Sequence, residues 1–417
     1  MKSFGDEPTV YEDVDVLEPD TETYKPSELP ERKAELTKLH SVLRPVTMDG
    51  TPRNVLVYGP TGQGKTVGVT LKTEQLLDWA DEADVDLTAV QVGCKGCNNS
   101  YNVLALLVKE LREIRMGQGV DKPSGYTRKT LLEMTLEELE EIGGTVVIIL
   151  DEIDAIGEDD YVLYELPRAD LDDVRLGIIG ITNDLQFRNN LDADVRSSLG
   201  EREIVFKPYD APQLQNILAR RAVKALRDTR FADGGRDYEH LESEVLADGT
   251  IPLCASLAAQ ETGDARQAIQ LLSYACDLAT DEGSDVVTEQ HVRAAKDEIE
   301  EEAIAQSISS ETTQRKLALL SAAQAALDDD TPAETGDLYR RYSSFCTIID
   351  VNELVEHTYR EKLNDLVDWN ILTKSRHGRG RGEGMSNRYE LAVTPDLILN
   401  NLADDTRVGD LVERIRG

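Results

Sequence analysis

Two segments of the chain carry residue types that do phosphate chemistry at the right spacing. Gly59-Pro60-Thr61-Gly62-Gln63-Gly64-Lys65-Thr66 reads G-x-x-x-x-G-K-T, and the apolar run Val146 to Leu150 ends in Asp151-Glu152-Ile153-Asp154. In the first segment the glycines let successive backbone N–H groups converge on an anion. The helix start adds partial positive charge, and Lys65 reaches the outer phosphates. Thr66 is left to hold Mg²⁺. In the second, the acids stand at the C-terminal mouth of a buried strand, where Asp151 would hold the magnesium through water and Glu152 would orient an attacking water. Each segment alone has a bland reading, a glycine turn or a strand that happens to end in acids. Together they specify a site for a nucleoside triphosphate and Mg²⁺.

The elements that must position these residues follow from periodicity. A short apolar run, Asn54 to Tyr58, precedes the glycine loop and an amphipathic stretch (Val67, Val69, Leu71, Leu76, Leu77) follows it, giving strand, phosphate loop and helix. Further strands are expected at Leu87–Val92, Thr145–Leu150, Leu176–Ile181 and Ile204–Phe206, alternating with helical patterns, which predicts a parallel α/β layer over residues 1–209. Residues 210–305 read as helix throughout, with Thr288 as cap of the last one. After an acidic joint, Glu300 to Thr313, residues 306–417 form a smaller domain of helices, a Gly/Arg loop and a final strand, Arg388–Val393.

Composition bounds the class. The chain has 417 residues, 40% hydrophobic and 30% charged, enough for two or three domains with a sizeable core. The N-terminus is polar and no apolar run approaches the roughly 20 residues needed to cross a bilayer, so a cytoplasmic protein is expected. Lys+Arg 45 against Asp+Glu 80 gives a formal charge of −35. The acids are spread through an ordinary apolar pattern, which fits adaptation to concentrated salt, where the Debye length falls to about 3 Å at 1 M. An acidic chain from an ordinary cell is the other reading. The five cysteines imply no disulfide framework. Cys94-Lys95-Gly96-Cys97 has a redox-like context, but without a second such pair structural thiols are expected.

Two further signals bear on the triphosphate. The strand ending at Thr182 delivers Asn183 beside the expected γ-phosphate, where a neutral amide would hold the attacking water. Gly263-Asp264-Ala265-Arg266 opens a helix over Gln267–Leu278 with Asp264 as N-cap. A cation in a first turn opposes the helix dipole by roughly 0.3–1 kcal/mol. Arg266 therefore points to an external anion, and a phosphate fits.

The C-terminal region carries a separate signal. Lys374, Arg376, His377, Arg379, Arg381 and Arg388 cluster in an otherwise acidic chain, interleaved with Gly378, Gly380, Gly382 and Gly384. Charge adaptation would have erased such a patch unless it met phosphate, and the glycines suit a hairpin that follows a DNA backbone or enters a minor groove. Upstream, Glu353–Leu372 reads as an amphipathic helix with Leu363, Leu366 and Trp369 inward and His357, Thr358, Arg360 and Lys362 offered to a major groove. Helix followed by basic wing is the winged-helix order. A solvated loop is the alternative.

The order of phosphate loop, Asp151-Glu152, Asn183 and Gly263-Asp264-Ala265-Arg266 resembles an AAA+ ATPase. More narrowly, the chain resembles the archaeal replication initiators related to the eukaryotic origin recognition complex and cell-division-cycle loader. Lys25 to Arg32, Ser197-Ser198-Leu199, Phe206 to Asp210 and Ile217 to Ala222 add to the match, which runs from about residue 15 onward. The resemblance implies a RecA-like base, a helical lid and a C-terminal winged helix, with ATP/ADP and Mg²⁺ as cofactors. It implies binding of double-stranded origin DNA at the nucleoid, recruitment of the minichromosome maintenance replicative helicase, self-association on DNA and slow, switch-like hydrolysis. It places Leu29, Arg32 and Tyr209 near the adenine and gives Lys65, Thr66, Asp151, Glu152, Asn183 and Arg266 the roles argued above. The family's helical insertion against DNA would fall between Ile114 and Glu141, where Arg115, Lys122, Arg128 and Lys129 are the cations. One departure is Asp194, which stands where the family often carries arginine, so a trans-acting finger is not expected from that position; Arg196 and Arg202 are the nearby arginines.

An ATP-dependent origin-binding initiator is thus the leading reading. A winged-helix transcription regulator with ATP only as ligand is the second, and a motor or clamp-loader-type ATPase the third. If the wing neutralises about five phosphates, a slope of roughly −0.9 per phosphate predicts a loss near six decades in affinity from 0.15 M to 3 M salt. Base contacts and DNA deformation are therefore expected to supply much of the binding.

Overall fold

The computed structural model describes residues 9–19, 24–199, 202–378 and 385–416. It divides into two compact units, Met1–Arg293 and Ala294–Gly417. The division falls inside the helix Glu289–Ser309, so the acidic stretch read as a joint is helical as far as Ser309. Acidic residues are compatible with helix, and nothing in Glu300–Ser309 breaks it.

In the first unit, β1 (Val55–Tyr58), β2 (Leu87–Gly93), β3 (Gly144–Asp151), β4 (Val174–Thr182) and β5 (Glu203–Val205) form one parallel sheet in the order β2-β3-β4-β1-β5. The continuous apolar run of β3 is explained by burial on both faces. Val146, Ile148 and Leu150 pack with Leu104, Leu107 and Leu111 of the helix Ser100–Met116, while Val147 and Ile149 pack with Leu39, Val69 and Leu76 on the other side. Cys94 and Cys97 are buried, and burial pushes both thiols up, so the structural-thiol reading fits. Beyond the sheet come the helices Ala211–Ala225, Thr250–Glu261 and Ala265–Asp281. The all-helical reading of this stretch is corrected by an antiparallel hairpin, β6 (Thr229–Phe231) with β7 (Leu241–Ser243), whose strands are too short to show a period.

In the second unit, β8 (Ala333–Glu334), β9 (Leu372–Gly378) and β10 (Met385–Leu391) pair antiparallel in the order β8-β10-β9 beside a helical core. The helix expected over Glu353–Leu372 spans Glu356–Asp368. Leu363 and Leu366 are buried, but Trp369 is corrected to a position outside the core, 39% exposed, with the Arg315 guanidinium 4.9 Å from its ring. An indole covered by a cation is stable at a surface. Among the described residues, no helix is long and apolar enough to cross a membrane.

Candidate nucleotide site and nucleic-acid interface

β4 lies between β1 and β3, with Tyr58 in register with Thr182 and Leu150 with Gly180. The residues just beyond their C-terminal ends therefore meet: the phosphate loop after β1, Asn183 after β4, and Asp151-Glu152 at the end of β3. This is the edge at which open parallel sheets bind ligands.

Lys65 opens the helix Lys65–Glu82 and is only 6% exposed. Its ammonium donates to Gly59 O (2.8 Å), Pro60 O (2.7 Å) and Asn183 Oδ1 (2.6 Å), and burial lowers its pKa. Thr66 Oγ1 donates to Asp151 Oδ2 over 2.9 Å, and the backbone N–H of Glu152 donates to Asp151 Oδ1 over 3.0 Å. Burial holds the Asp151 carboxyl above its usual range. Asp154, unassigned from sequence, accepts from the Asn183 N–H at 3.3 Å and so fixes the end of β4.

The Thr66 hydroxyl and Asp151 carboxylate, in hydrogen-bond contact, offer the hard oxygen donors that Mg²⁺ takes. Among the described residues no group of three or more His, Cys, Asp or Glu could hold a metal ion by itself. That donor set fits a magnesium shared with phosphate oxygens and water rather than a protein-only cage.

Arg266 is exposed at the start of its helix, without an ion-pair partner among the described residues, and lines the same cavity as Lys65, Asp151, Glu152 and Asn183. Asp264 caps this helix, accepting from the Arg266 N–H at 2.7 Å. Its carboxylate lies against the phosphate loop, where a Cβ on Gly62 would fall 1.5 Å from Asp264 Oδ1, and with φ at 71° position 62 strongly favours glycine.

The cavity is about 520 Å³ and runs from Thr61–Thr66 past Leu29, Glu31 and Tyr209 to Ile217, Phe231 and Arg236. Gly59 and Pro60 do not line it; their carbonyls serve Lys65. Arg32, expected near an adenine, is also placed elsewhere. It is 2% exposed behind the loop, stacked 3.6 Å from the Tyr209 ring centre, and donates to Gln63 O, Gln63 Oε1 and Lys207 O. A guanidinium has five donors, and one buried beside a loop rich in carbonyls is used to hold that loop.

Several pairings in the wall were not legible in sequence. Tyr24 stacks with the Arg221 guanidinium 4.1 Å from its ring and accepts from Lys224 Nζ at 2.9 Å, and Glu31 accepts from Arg220 Nη1 at 3.2 Å. These pairs join residues about two hundred positions apart, and no local pattern announces them.

In the second unit the predicted basic surface is divided by strand geometry. Lys374 and Arg376 share one face of β9, opposite Tyr389 and Asn387, while Arg388 is opposite Ser375 and Glu334 and so belongs to the other face. Lys374 Nζ donates to Asn364 Oδ1 (2.8 Å), which also accepts from Tyr389 OH (3.3 Å). Arg388 pairs with Glu334 at 3.3 Å, Arg360 with Glu356 at 3.2 Å, and Lys362 with Asp365 at 3.4 Å. Arg376 is exposed, His357 lies 3.7 Å from Glu361 and is largely exposed, and Thr358 is half-buried. Arg379, Arg381 and the glycines Gly380, Gly382 and Gly384 lie outside the described residues. In the first unit, Arg115 pairs with Glu138 and Arg128 with Asp159, both at 2.8 Å.

Residues 48–187 match the AAA domain family, residues 234–297 the Cdc6 AAA+ ATPase-type lid domain, and residues 306–401 the CDC6 C-terminal winged helix domain. The chain is 38% identical to ORC1-type DNA replication protein 1 of Haloarcula marismortui over 99% of its own length and 96% of that protein. It is 36% identical to ORC1-type DNA replication protein 10 of Halobacterium salinarum, over 100% and 97% of the two chains. Its fold is similar to that of the Aeropyrum pernix ORC1 protein solved in complex with DNA, with a TM-score of 0.74, 32% identity, and coverage of 97% of this chain and 100% of that one. An AAA+ parallel-sheet base, a Cdc6-type lid and a C-terminal winged helix, with relatives in salt-loving archaea, place the chain in the archaeal ORC1/Cdc6 family of replication initiators.

Proposed function

We propose that this chain is an ATP-dependent replication initiator that binds double-stranded origin DNA through its C-terminal domain and recruits the replicative helicase. The carrying observation is the meeting of Lys65, Thr66, Asp151, Glu152, Asn183 and Arg266 around one cavity large enough for a nucleotide. Lys65 and Arg266 hold the outer phosphates, Thr66 and Asp151 hold Mg²⁺, and Glu152 and Asn183 orient water. Bound magnesium supplies charge neutralisation of the phosphates. Leu29 and Tyr209 lie on the cavity wall and serve the base end of the nucleotide. Turnover is slow and works as a switch.

The DNA contacts are Arg376 and His357, with Thr358, Arg360, Lys362, Lys374 and Arg388 at the margin and Arg379 and Arg381 as further candidates. The test is ATP binding, ATP turnover and duplex binding by wild type, Lys65→Ala and Glu152→Ala in concentrated KCl. Lys65→Ala is expected to lose nucleotide, and Glu152→Ala to retain ATP unhydrolysed while binding DNA. Equal turnover by all three would refute the assignment. Pull-down of the helicase by the ATP-trapped variant tests the recruiting step.

A further inference from the structure

Gln63 is a phosphate-loop residue whose side chain is buried and hydrogen-bonded within the protein. It is 1% exposed, and its amide is matched on both sides. Oε1 accepts from Arg32 Nη2 at 3.1 Å, while Nε2 donates to Thr61 O at 3.1 Å and to Gly263 O at 3.0 Å. The Gln63 carbonyl accepts from Arg32 Nε at 3.1 Å and from the Tyr209 hydroxyl at 3.2 Å.

One of these bonds differs in kind from the others. Arg32 and Thr61 belong to the sheet-bearing part of the unit. Gly263 immediately precedes Asp264, the cap of the helix that carries Arg266. Beside it, the Ala265 N–H donates to Gly62 O at 3.3 Å, and Gly263 O also accepts from the Tyr209 N–H at 3.0 Å. Gly263 is itself in the left-handed region (φ 66°), and a Cβ there would fall 2.7 Å from Tyr209 O, so the residue before the helix packs closely on the segment at Tyr209 while the Ala265–Gly62 bond joins the helix start to the phosphate loop.

Withdrawal of this helix would strip Gln63 of the acceptor for one buried N–H. A buried amide without its partner is costly. The network therefore biases the helix toward the position seen here.

We propose that Gln63 is a positioning residue: its side-chain amide latches the start of the helix Ala265–Asp281 onto the phosphate loop and so determines whether Arg266 reaches the outer phosphates of a bound nucleotide. The inference rests on the nucleotide reading of the cavity. One hydrogen bond of ordinary net strength corresponds to about a five-fold change in the closure equilibrium.

The test is a double-mutant cycle on the full chain with ATP and Mg²⁺. Gln63→Leu is expected to weaken ATP binding about five-fold and Arg266→Ala at least as much, and the double variant to be within about two-fold of Arg266→Ala alone, because an unlatched arginine has little left to lose. Additive losses, or wild-type affinity in Gln63→Leu, would overturn the latch. Should Gln63→Leu fail to fold, Gln63→Met keeps the length and loses the donor. Hydrogen exchange of the Ala265 amide in nucleotide-free protein gives a readout independent of the ligand. Faster exchange in Gln63→Met than in wild type supports the latch, and unchanged exchange refutes it. Failure of wild type to bind ATP would count against the nucleotide reading, while this exchange experiment would still decide the latch.

Discussion

Lys65 Nζ donates to Asn183 Oδ1 over 2.6 Å, closing a contact between the phosphate loop and the end of β4. With Gly59 O and Pro60 O as its other acceptors, the ammonium has all three N–H bonds engaged within the protein. An incoming phosphate must take over at least one of them, and the Asn183 amide is the partner whose replacement leaves the loop backbone undisturbed. Asn183 thus competes with the ligand for Lys65 before it can serve the attacking water.

Asn183→Ala is therefore expected to separate binding from turnover. ATP affinity should hold or tighten by up to about five-fold, the equivalent of about 1 kcal/mol for the hydrogen bond no longer opposed. Turnover should fall by about ten-fold or more. Calorimetric titration beside single-turnover hydrolysis checks both, and parallel losses in the two would remove the competition.

The pH dependence of nucleotide binding follows from two opposite shifts with one cause. Burial lowers the Lys65 pKa, so its charge is present below that lowered value and is lost as pH rises through it, earlier than for an ordinary lysine. Burial raises the Asp151 pKa, so its carboxylate is present above the raised value and is lost as pH falls through it, earlier than for an ordinary aspartate. Affinity for ATP with Mg²⁺ should be bell-shaped with both limbs drawn toward neutrality. Without Mg²⁺ the acidic limb should weaken, and Asp151→Asn should abolish its magnesium dependence. Titrations across pH with and without Mg²⁺ read this out.

Glu152 occupies the left-handed region at φ 53°, unlike the other acidic residues found there among the described positions, which are all aspartates. Aspartate tolerates that conformation better, and for a longer side chain it costs about 1–2 kcal/mol. Both Glu152→Ala and Glu152→Gly should lose turnover. Only the glycine variant should relieve the strain, for a net gain of up to about 1 kcal/mol after the entropy cost of glycine. Identical melting temperatures for the two variants would show that no strain is stored there.

DNA binding should separate Arg376 from Arg388. Arg376 is exposed on β9, whereas Arg388 is on the other face and paired with Glu334. Arg376→Ala is expected to lower the slope of log affinity against log salt by about one. Arg388→Ala should lower the slope by less than Arg376→Ala and lower stability as well. For wild type the dependence should be much flatter than six decades between 0.15 M and 3 M, since several predicted cations are neutralised internally. Complete loss of binding at molar KCl would contradict a protein adapted to concentrated salt.

The chemistry of the nucleotide site was legible because phosphate recognition is local. Glycines, a helix start and a lysine at fixed spacing act through the backbone that carries them, and β3 announces itself as a buried strand ending in acids. For the same reason the five strands of the sheet were located to within a few residues, and Asp264 could be read as a cap. Side-chain direction at strand ends and turns was less legible. Basic residues close in sequence at 374–388 fall on two faces because a strand alternates, and Trp369 leaves the core because its helix ends at Asp368.

By itself, then, the sequence determined which phosphate-loop and acidic residues are available to one site, where each stands on its strand or helix, and how the chain is charged. Only the tertiary structure decided that β4 inserts between β1 and β3, bringing Asn183 to Lys65, and that Arg32 sits behind the phosphate loop, bonded to Gln63 and stacked on Tyr209. It alone brought Gln63 to Gly263 across two hundred residues of chain. Strand order and the docking of one element on another depend on surfaces that exist only once both are formed. A buried amide or guanidinium takes whichever acceptors the packed backbone presents to it.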